Sequence, residues 1–190
     1  MLYTELLRLW DEAVKAVDAR DWKGALSKLN QITEPTSRTL FLTASAHLAL
    51  GQLEPAIQAL DQTIAKDERL AVGFFQRAGT LIMASRLEEA LNDCISAQKH
   101  MRGNVVIDYR QLGLRYKLYS WQVLYNAAAV HSRLNQLDKA RDILLSVALH
   151  SISVKVLPVL LVPEGEVFRP RKQDVEQLGQ RDFLGKPMVK

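Results

Sequence analysis

The chain has 190 residues, 48% hydrophobic and 24% charged, with a formal net charge of +4. A chain this long buries roughly 70% of its unfolded surface, and its lone cysteine, Cys94, excludes an intramolecular disulfide and a two-cysteine metal site and points to a reducing compartment. The bases are spread along the chain without interleaved aromatics, so no nucleic acid partner is expected, and the longest apolar run, Val156 to Val162, is broken by Pro158 and far shorter than the ~20 residues that cross a bilayer.

At the start, MLYTELLRLWDE carries acids at Glu5, Asp11 and Glu12 and no basic stretch ahead of an apolar run, so a signal peptide is not expected. A pattern of small residues then repeats. Ala13 and Ala25, Ala44 and Ala56, Ala78 and Ala90, and Ala128 and Ala140 form four pairs, each 12 residues apart. The second and third pairs are offset by 34 residues, and the first precedes the second by 31. Leu53, Leu87 and Leu137 each stand three residues ahead of the second alanine. A helix–turn–helix period of about 34 residues, with small residues where paired helices approach closely, is that of the tetratricopeptide repeat (TPR). The expected fold is all-α, a TPR solenoid of four helix pairs at about 3–33, 38–66, 71–101 and 119–149. Trp10, Trp22, Phe74, Phe75 and Trp121 fall on these helices at core spacing and are expected to pack.

His47 and His131 each lie three residues after the first alanine of their repeats, which argues for packing in one repeated slot and not for a metal pair. His100 and His150 are placed near the ends of second helices, where a cation is mildly stabilised by the helix dipole. Catalysis finds no foothold. There is no phosphate-cradling glycine loop, no nucleophile elbow and no ligand cluster at metal spacing. Glu88 and Glu89 are adjacent, so on a helix they face different ways. No cofactor is expected, and the pattern is that of a binding module.

The step from Ala78 to Ala128 is 50 residues, so the third-to-fourth interval carries 16 more than the repeat period. The surplus, placed at about 102–117, holds Gly103, the β-favouring run Val105-Val106-Ile107, and Gly113, with a helical pattern resuming at about Leu114. An extended arm or short hairpin is expected. In a solenoid the links between repeats stack along one edge, and insertions on that edge commonly mark the binding face. The links here are Glu34–Arg38, Lys66–Arg69 and Arg102–Asp108, and they offer Ser37, Asp67, Arg102, Asn104 and Asp108 as polar groups.

DWKGAL, LAVGFFQR, MRGNVVIDYRQLGLRYKL, GEVFRP and DFLGK closely resemble the NADPH oxidase activator family. That family comprises the cytosolic activator of the phagocyte NADPH oxidase and its non-phagocytic paralogue, and AVGFFQR and GEVFRP lean toward the paralogue. The resemblance implies a non-catalytic TPR adaptor that binds a GTP-loaded Rac-type small GTPase and helps to activate a superoxide-producing oxidase. It implies GTPase contacts by Ser37, Asp67, Arg102, Asn104 and Asp108. The phagocytic member has a histidine where this chain has Arg69 and a leucine where it has Val106, departures that would retune affinity more than mode.

After the fourth repeat, VKVLPVLLVPEGEVFRP is apolar and punctuated by prolines at 158, 163 and 170. Such a segment stays soluble by packing, and the concave groove of the solenoid is the nearest apolar surface. The expected organisation is four repeats over 1–150 and, over 151–190, an extended segment back-packed in the groove with a helix near Lys172–Gln180. The rival function, a scaffold that takes a peptide in its groove, calls for inward Lys, Asn or Arg on the first helices, whereas the first repeat shows Trp10 and Val14. The resemblance further implies a cytoplasmic monomer without direct membrane insertion, recruited to the membrane on activation. The segment that touches the membrane flavocytochrome would lie mostly beyond the last residue given.

Overall fold

The computed structural model describes residues 1–147 and 157–188, with side chains as far as residue 180. Its helices are α1 (Tyr3–Asp18), α2 (Trp22–Leu29), α3 (Ser37–Ala49), α4 (Leu53–Lys66), α5 (Ala71–Met83), α6 (Leu87–His100), α7 (Ser120–Arg133), α8 (Leu137–Ser146) and α9 (Lys172–Met188). The first eight stack as four antiparallel pairs, each pair leaning on the next. All eight register alanines are 0–1% exposed, because a larger side chain at any of them would prise two backbones apart. Residues 148–156 hold the expected end of the fourth pair at 149, the 150/151 division, His150 and the start of the apolar run, all outside the described residues.

Each within-pair turn solves the same geometric problem at the same place. Arg20 (φ 57°), Gly51 (φ 73°), Ser85 (φ 60°) and Asn135 (φ 60°) are left-handed, two residues before the first residue of the second helix. Glycine adopts this conformation freely and asparagine tolerates it, while arginine and serine do so at a cost. The next residue is the N-cap, and of the four only Asp21 caps with its side chain. Asp21 accepts from the Gly24 amide at 2.9 Å. Gln52 and Gln136 each pair their side-chain oxygen with Nδ1 of a histidine five residues earlier, His47 at 2.7 Å and His131 at 2.6 Å. The two histidines thus share one structural slot, and their role there is to hold the turn by a hydrogen bond.

Two expectations about local structure are corrected. Trp121 does not pack in the core: it is 41% exposed, on the outward side of the first turn of α7, edge-on to Tyr125. No helix resumes at Leu114. Val106–Asp108 (β1) and Lys117–Tyr119 (β2) form an antiparallel hairpin in which Ile107 faces Leu118, with a 3-10 turn at Arg110–Leu112 between them. Residues 114–118 alternate with period two, burying Leu114 and Leu118 and exposing Arg115 and Lys117. That periodicity belongs to a strand.

The main hydrophobic core runs through the first three pairs and takes in Tyr109, Leu114 and Leu118 from the insert and Val162, Val167 and Phe168 from the closing segment. A smaller cluster joins Tyr125, Ala128, Ala129, Ala140 and Leu144 with Leu157. Helix α9 extends to Met188, beyond the expected end at Gln180, and packs on α1.

Candidate functional site

The concave face of the solenoid is built by α1, α3, α5 and α7, and residues 157–170 run back across it. In α7, the Asn126 side chain exchanges both hydrogen bonds with the Leu160 backbone, each at 2.9 Å. In α5, the Gln76 side-chain oxygen accepts from the Val162 amide at 2.8 Å. Gln76 and Asn126 each stand two residues before the first alanine of their repeat, so one register position in two successive repeats grips the same strap. Gly79 leaves room for it: a Cβ there would run into the Leu161 side chain and lie 2.9 Å from the Leu160 carbonyl oxygen. Arg133 donates to the Leu157 carbonyl at 3.0 Å.

After a turn at residues 163–166, with Gly165 at φ 89°, the strap reaches the first two pairs. The Phe168 ring meets Phe41 edge-on at 5.2 Å and Tyr109 at 6.4 Å, and its carbonyl oxygen accepts from Trp10 Nε1 at 2.9 Å. Arg169 makes a two-pronged ion pair with Asp18 at 2.8 and 2.6 Å, and the Arg169 hydrogen bond holds the Asp18 carboxyl below the usual carboxylate range. The groove is therefore already occupied by this chain's own residues. The polar groups that hold the strap, Gln76, Asn126 and Arg133, were missed in the sequence. Their shared offset from the register alanines was the signal that could have found two of them.

The insert closes over the same strap from the side. Gly113, at φ 95°, accepts at its carbonyl oxygen from the Arg169 amide at 3.0 Å, and a Cβ on it would collide with the Arg169 carbonyl. Tyr109 is buried, its phenol accepts from the Val72 amide in the first turn of α5 at 3.1 Å, and burial pushes its pKa up to about 12. That bond ties the insert to the start of α5.

The sequence-predicted site residues lie on the links. Ser37 is the first residue of α3, behind a capping pair in which Thr36 and Thr39 each bond the other's amide, at 3.2 and 2.9 Å. Asp67 follows α4 and accepts from the Arg69 amide at 3.1 Å, forming a tight turn. Arg102 and Gly103 are left-handed in succession, at φ 55° and 77°. The chain thereby turns sharply out of α6, and the exposed Arg102 guanidinium has no hydrogen-bond or ion-pair partner among the described residues. Asn104 is exposed and donates to the Met101 carbonyl at 2.9 Å. Asp108 ends β1 and takes three side-chain hydrogen bonds from Arg110, the shortest at 2.6 Å, which hold its carboxyl below the usual range. Tyr109 follows Asp108 directly and its hydroxyl meets the Val72 amide, five residues past Asp67, which brings Asp67 and the Arg102–Asp108 link to one region. Arg69 is exposed beside Asp67, and Val106 (39% exposed) and Val105 (71%) face solvent on the insert. Among the described residues there is no metal-ligand cluster and no helix long and apolar enough to cross a membrane. Cys94 is buried, which pushes its thiol up to about 12.

The chain is 35% identical over 204 aligned residues to neutrophil cytosol factor 2 of Mus musculus, covering 100% of this chain and 39% of that protein. The chain belongs to that family. It is 37% identical to NADPH oxidase activator 1 of Rattus norvegicus, over 96% of this chain and 44% of that protein, so the two branches match almost equally. Human neutrophil cytosol factor 2 is 32% identical over 100% of this chain. The chain thus spans about two fifths of the length of these family members. No family model matches. Among solved structures, YrrB, described as a TPR protein with an unusual peptide-binding site, superposes with a TM-score of 0.54 at 18% identity, over 73% of this chain and 68% of that one. That likeness supports the TPR fold.

Proposed function

We propose that this chain is the GTPase-docking region of a non-catalytic NADPH oxidase activator. It binds a Rac-type small GTPase in the GTP form along its link edge, through Ser37, Asp67, Arg102, Asn104 and Asp108, and so helps to assemble a superoxide-producing oxidase. The observation that carries this reading is the contrast between two faces. The concave face, where a TPR scaffold would take a peptide, is filled by residues 157–170, to which Gln76 and Asn126 are hydrogen-bonded. The link edge instead presents Arg102, Asn104 and Asp108 exposed and Ser37 and Asp67 half-buried, with the Arg102 guanidinium unpaired among the described residues. Membership of a family whose members are named as oxidase activators supplies the oxidase.

In this reading the repeats occupy about 1–150 and the closing segment 151–190, and the chain works as a cytoplasmic monomer drawn to the membrane flavocytochrome on activation. Three short links make a small interface, below ~1,200 Å² in total, of the kind seen in transient signalling contacts. Calorimetry with Rac in both nucleotide states tests it. Selective binding of the GTP form in the micromolar range is the expected result; equal affinity for both forms, or binding only after residues 157–190 are removed, would overturn it.

A further inference from the structure

Where the insert meets the closing segment, a surface basin of about 390 Å³ opens between Arg110, Arg115, Arg169, Arg171, Lys172 and Gln173. Five of these six are cationic, and no carboxylate lines the basin. Elsewhere in the molecule guanidinium groups sit among acids: Arg77 bridges Asp61 and Asp93, and Arg86 bridges Glu54 and Glu89. Here the acids pair with the arginines without themselves lining the cavity. Asp108 holds Arg110, Asp18 holds Arg169 and Asp174 holds Arg171, at 2.6 to 2.9 Å. The carboxylates take the Nε and Nη2 donors of Arg110 and Arg171, which leaves Nη1 of each open to a ligand. Arg115 and Lys172 have no ion-pair partner among the described residues, leaving five cations against three acids around the basin.

One atom is left over. Arg169 gives both terminal nitrogens to Asp18, and its Nε is buried with no acceptor. A buried donor without a partner costs free energy, and this one belongs to a residue that lines the basin. Lys172 and Gln173 come from the first turn of α9, whose dipole adds positive potential at the same mouth.

We propose that this basin binds a compact polyphosphate anion, two or more phosphate groups on a small framework such as an inositol ring. A single phosphate would fill only a small part of this volume. A phosphopeptide would need main-chain partners and apolar side-chain pockets beside the charge, and the only neutral side chains lining the basin are Gln111, Pro170 and Gln173. The volume suits a phosphorylated six-membered ring. The ligand chemistry is shared by a soluble inositol polyphosphate and a phosphoinositide headgroup in a membrane.

The test is calorimetry of the whole 190-residue chain at physiological ionic strength with inositol trisphosphate, beside flotation with phosphatidylcholine vesicles containing or lacking phosphatidylinositol bisphosphate. Saturable one-to-one binding of inositol trisphosphate is expected. Arg115→Ala and Lys172→Ala should each weaken it about tenfold, the worth of one charge-assisted contact, while Arg115→Lys keeps most of it. The control Lys139→Ala, the same charge change on exposed α8, should shift affinity less than about twofold. Binding to both the soluble ligand and the doped vesicles assigns the site to a lipid headgroup, and binding to the soluble ligand alone assigns it to a free polyphosphate; either outcome supports the basin. No binding to either probe, equal weakening by Lys139→Ala, or binding of a phosphopeptide that inositol trisphosphate does not displace would overturn the proposal. None of these variants touches the proposed GTPase contacts, and each melting temperature reports whether the variant is folded.

Discussion

Trp10 Nε1 donates to the carbonyl oxygen of Phe168 at 2.9 Å, across 158 residues of chain. The bond joins the first helix to the closing strap, and the Phe168 ring on the same residue is fully buried against Phe41 and Tyr109. First pair, second pair, insert and strap thus converge on one residue.

Replacing Phe168 with alanine should therefore be severe. A buried phenylalanine cut to alanine costs about 3–5 kcal/mol, which for a domain of this size lowers Tm on the order of 10 °C. Thermal unfolding followed by circular dichroism measures it, and an unchanged Tm would show that the strap is not part of the cooperative unit.

Asn126 and Gln76 give a finer probe of the strap. Asn126→Ala strands the amide and carbonyl of Leu160, at a cost of about 1–3 kcal/mol. Amide exchange at Leu160 should accelerate in Asn126→Ala, and exchange at Val162 in Gln76→Ala, while α2 and α4 keep their protection. Uniform loss of protection would mean global weakening and no specific grip.

At the link edge, Arg102→Glu should reduce binding of GTP-loaded Rac by roughly 2–5 kcal/mol, the range for losing a desolvated charged contact, which abolishes a micromolar complex. Arg102 already sits at φ 55°, and glutamate meets the same backbone cost there, so Tm should hardly move. Parent-like affinity in this variant would remove the insert from the interface.

The turn residues predict a stabilising change. Ser85 is left-handed where the second repeat has Gly51, so Ser85→Gly relieves strain and should add up to about 1 kcal/mol. Asn135→Gly, at the matching turn, should be close to neutral because asparagine tolerates this conformation. Urea denaturation of the two variants side by side separates these outcomes.

Acid should loosen the strap. The hydrogen bond from Arg169 lowers the Asp18 pKa in the folded state, so the folded chain holds this proton less tightly than the unfolded chain. The stabilisation is complete above the unfolded carboxyl value and is lost as pH falls below about 4 through the folded value. Asp18→Asn should flatten this part of the stability–pH curve relative to the parent and leave it parallel near neutrality. An identical acid slope in both proteins would contradict the assignment.

Most of the scaffold was legible along the chain because a repeat is local information written several times. Ala13, Ala25 and their six counterparts each report close backbone approach, and the shared offset of 12 identifies the helix pair without any knowledge of what the pairs enclose. The 16-residue surplus and its β-branched run likewise marked a non-helical insert on the link edge. Trp121 was misplaced because periodicity gives the face of a helix but not what stands opposite it: the insert precedes α7, and its first turn is left open on the outward side. Leu114 was misjudged because a few apolar residues satisfy a helical or an alternating pattern equally well until a partner strand is known.

What the sequence determined by itself was everything carried by spacing: four helix pairs, an interruption, and an apolar, proline-broken segment that had to be covered. What only the tertiary structure decided was how distant residues meet. Gln76 and Asn126 read as ordinary helix polar residues until residues 160–162 come back to use them. Gly113 and Arg169 are 56 positions apart and interlock backbone to backbone, and that contact joins the two segments whose five dispersed cations line one basin. Helical repeats are specified by short-range periodicity, whereas the strap and the basin depend on long-range closure, whose partners no local pattern in the chain records.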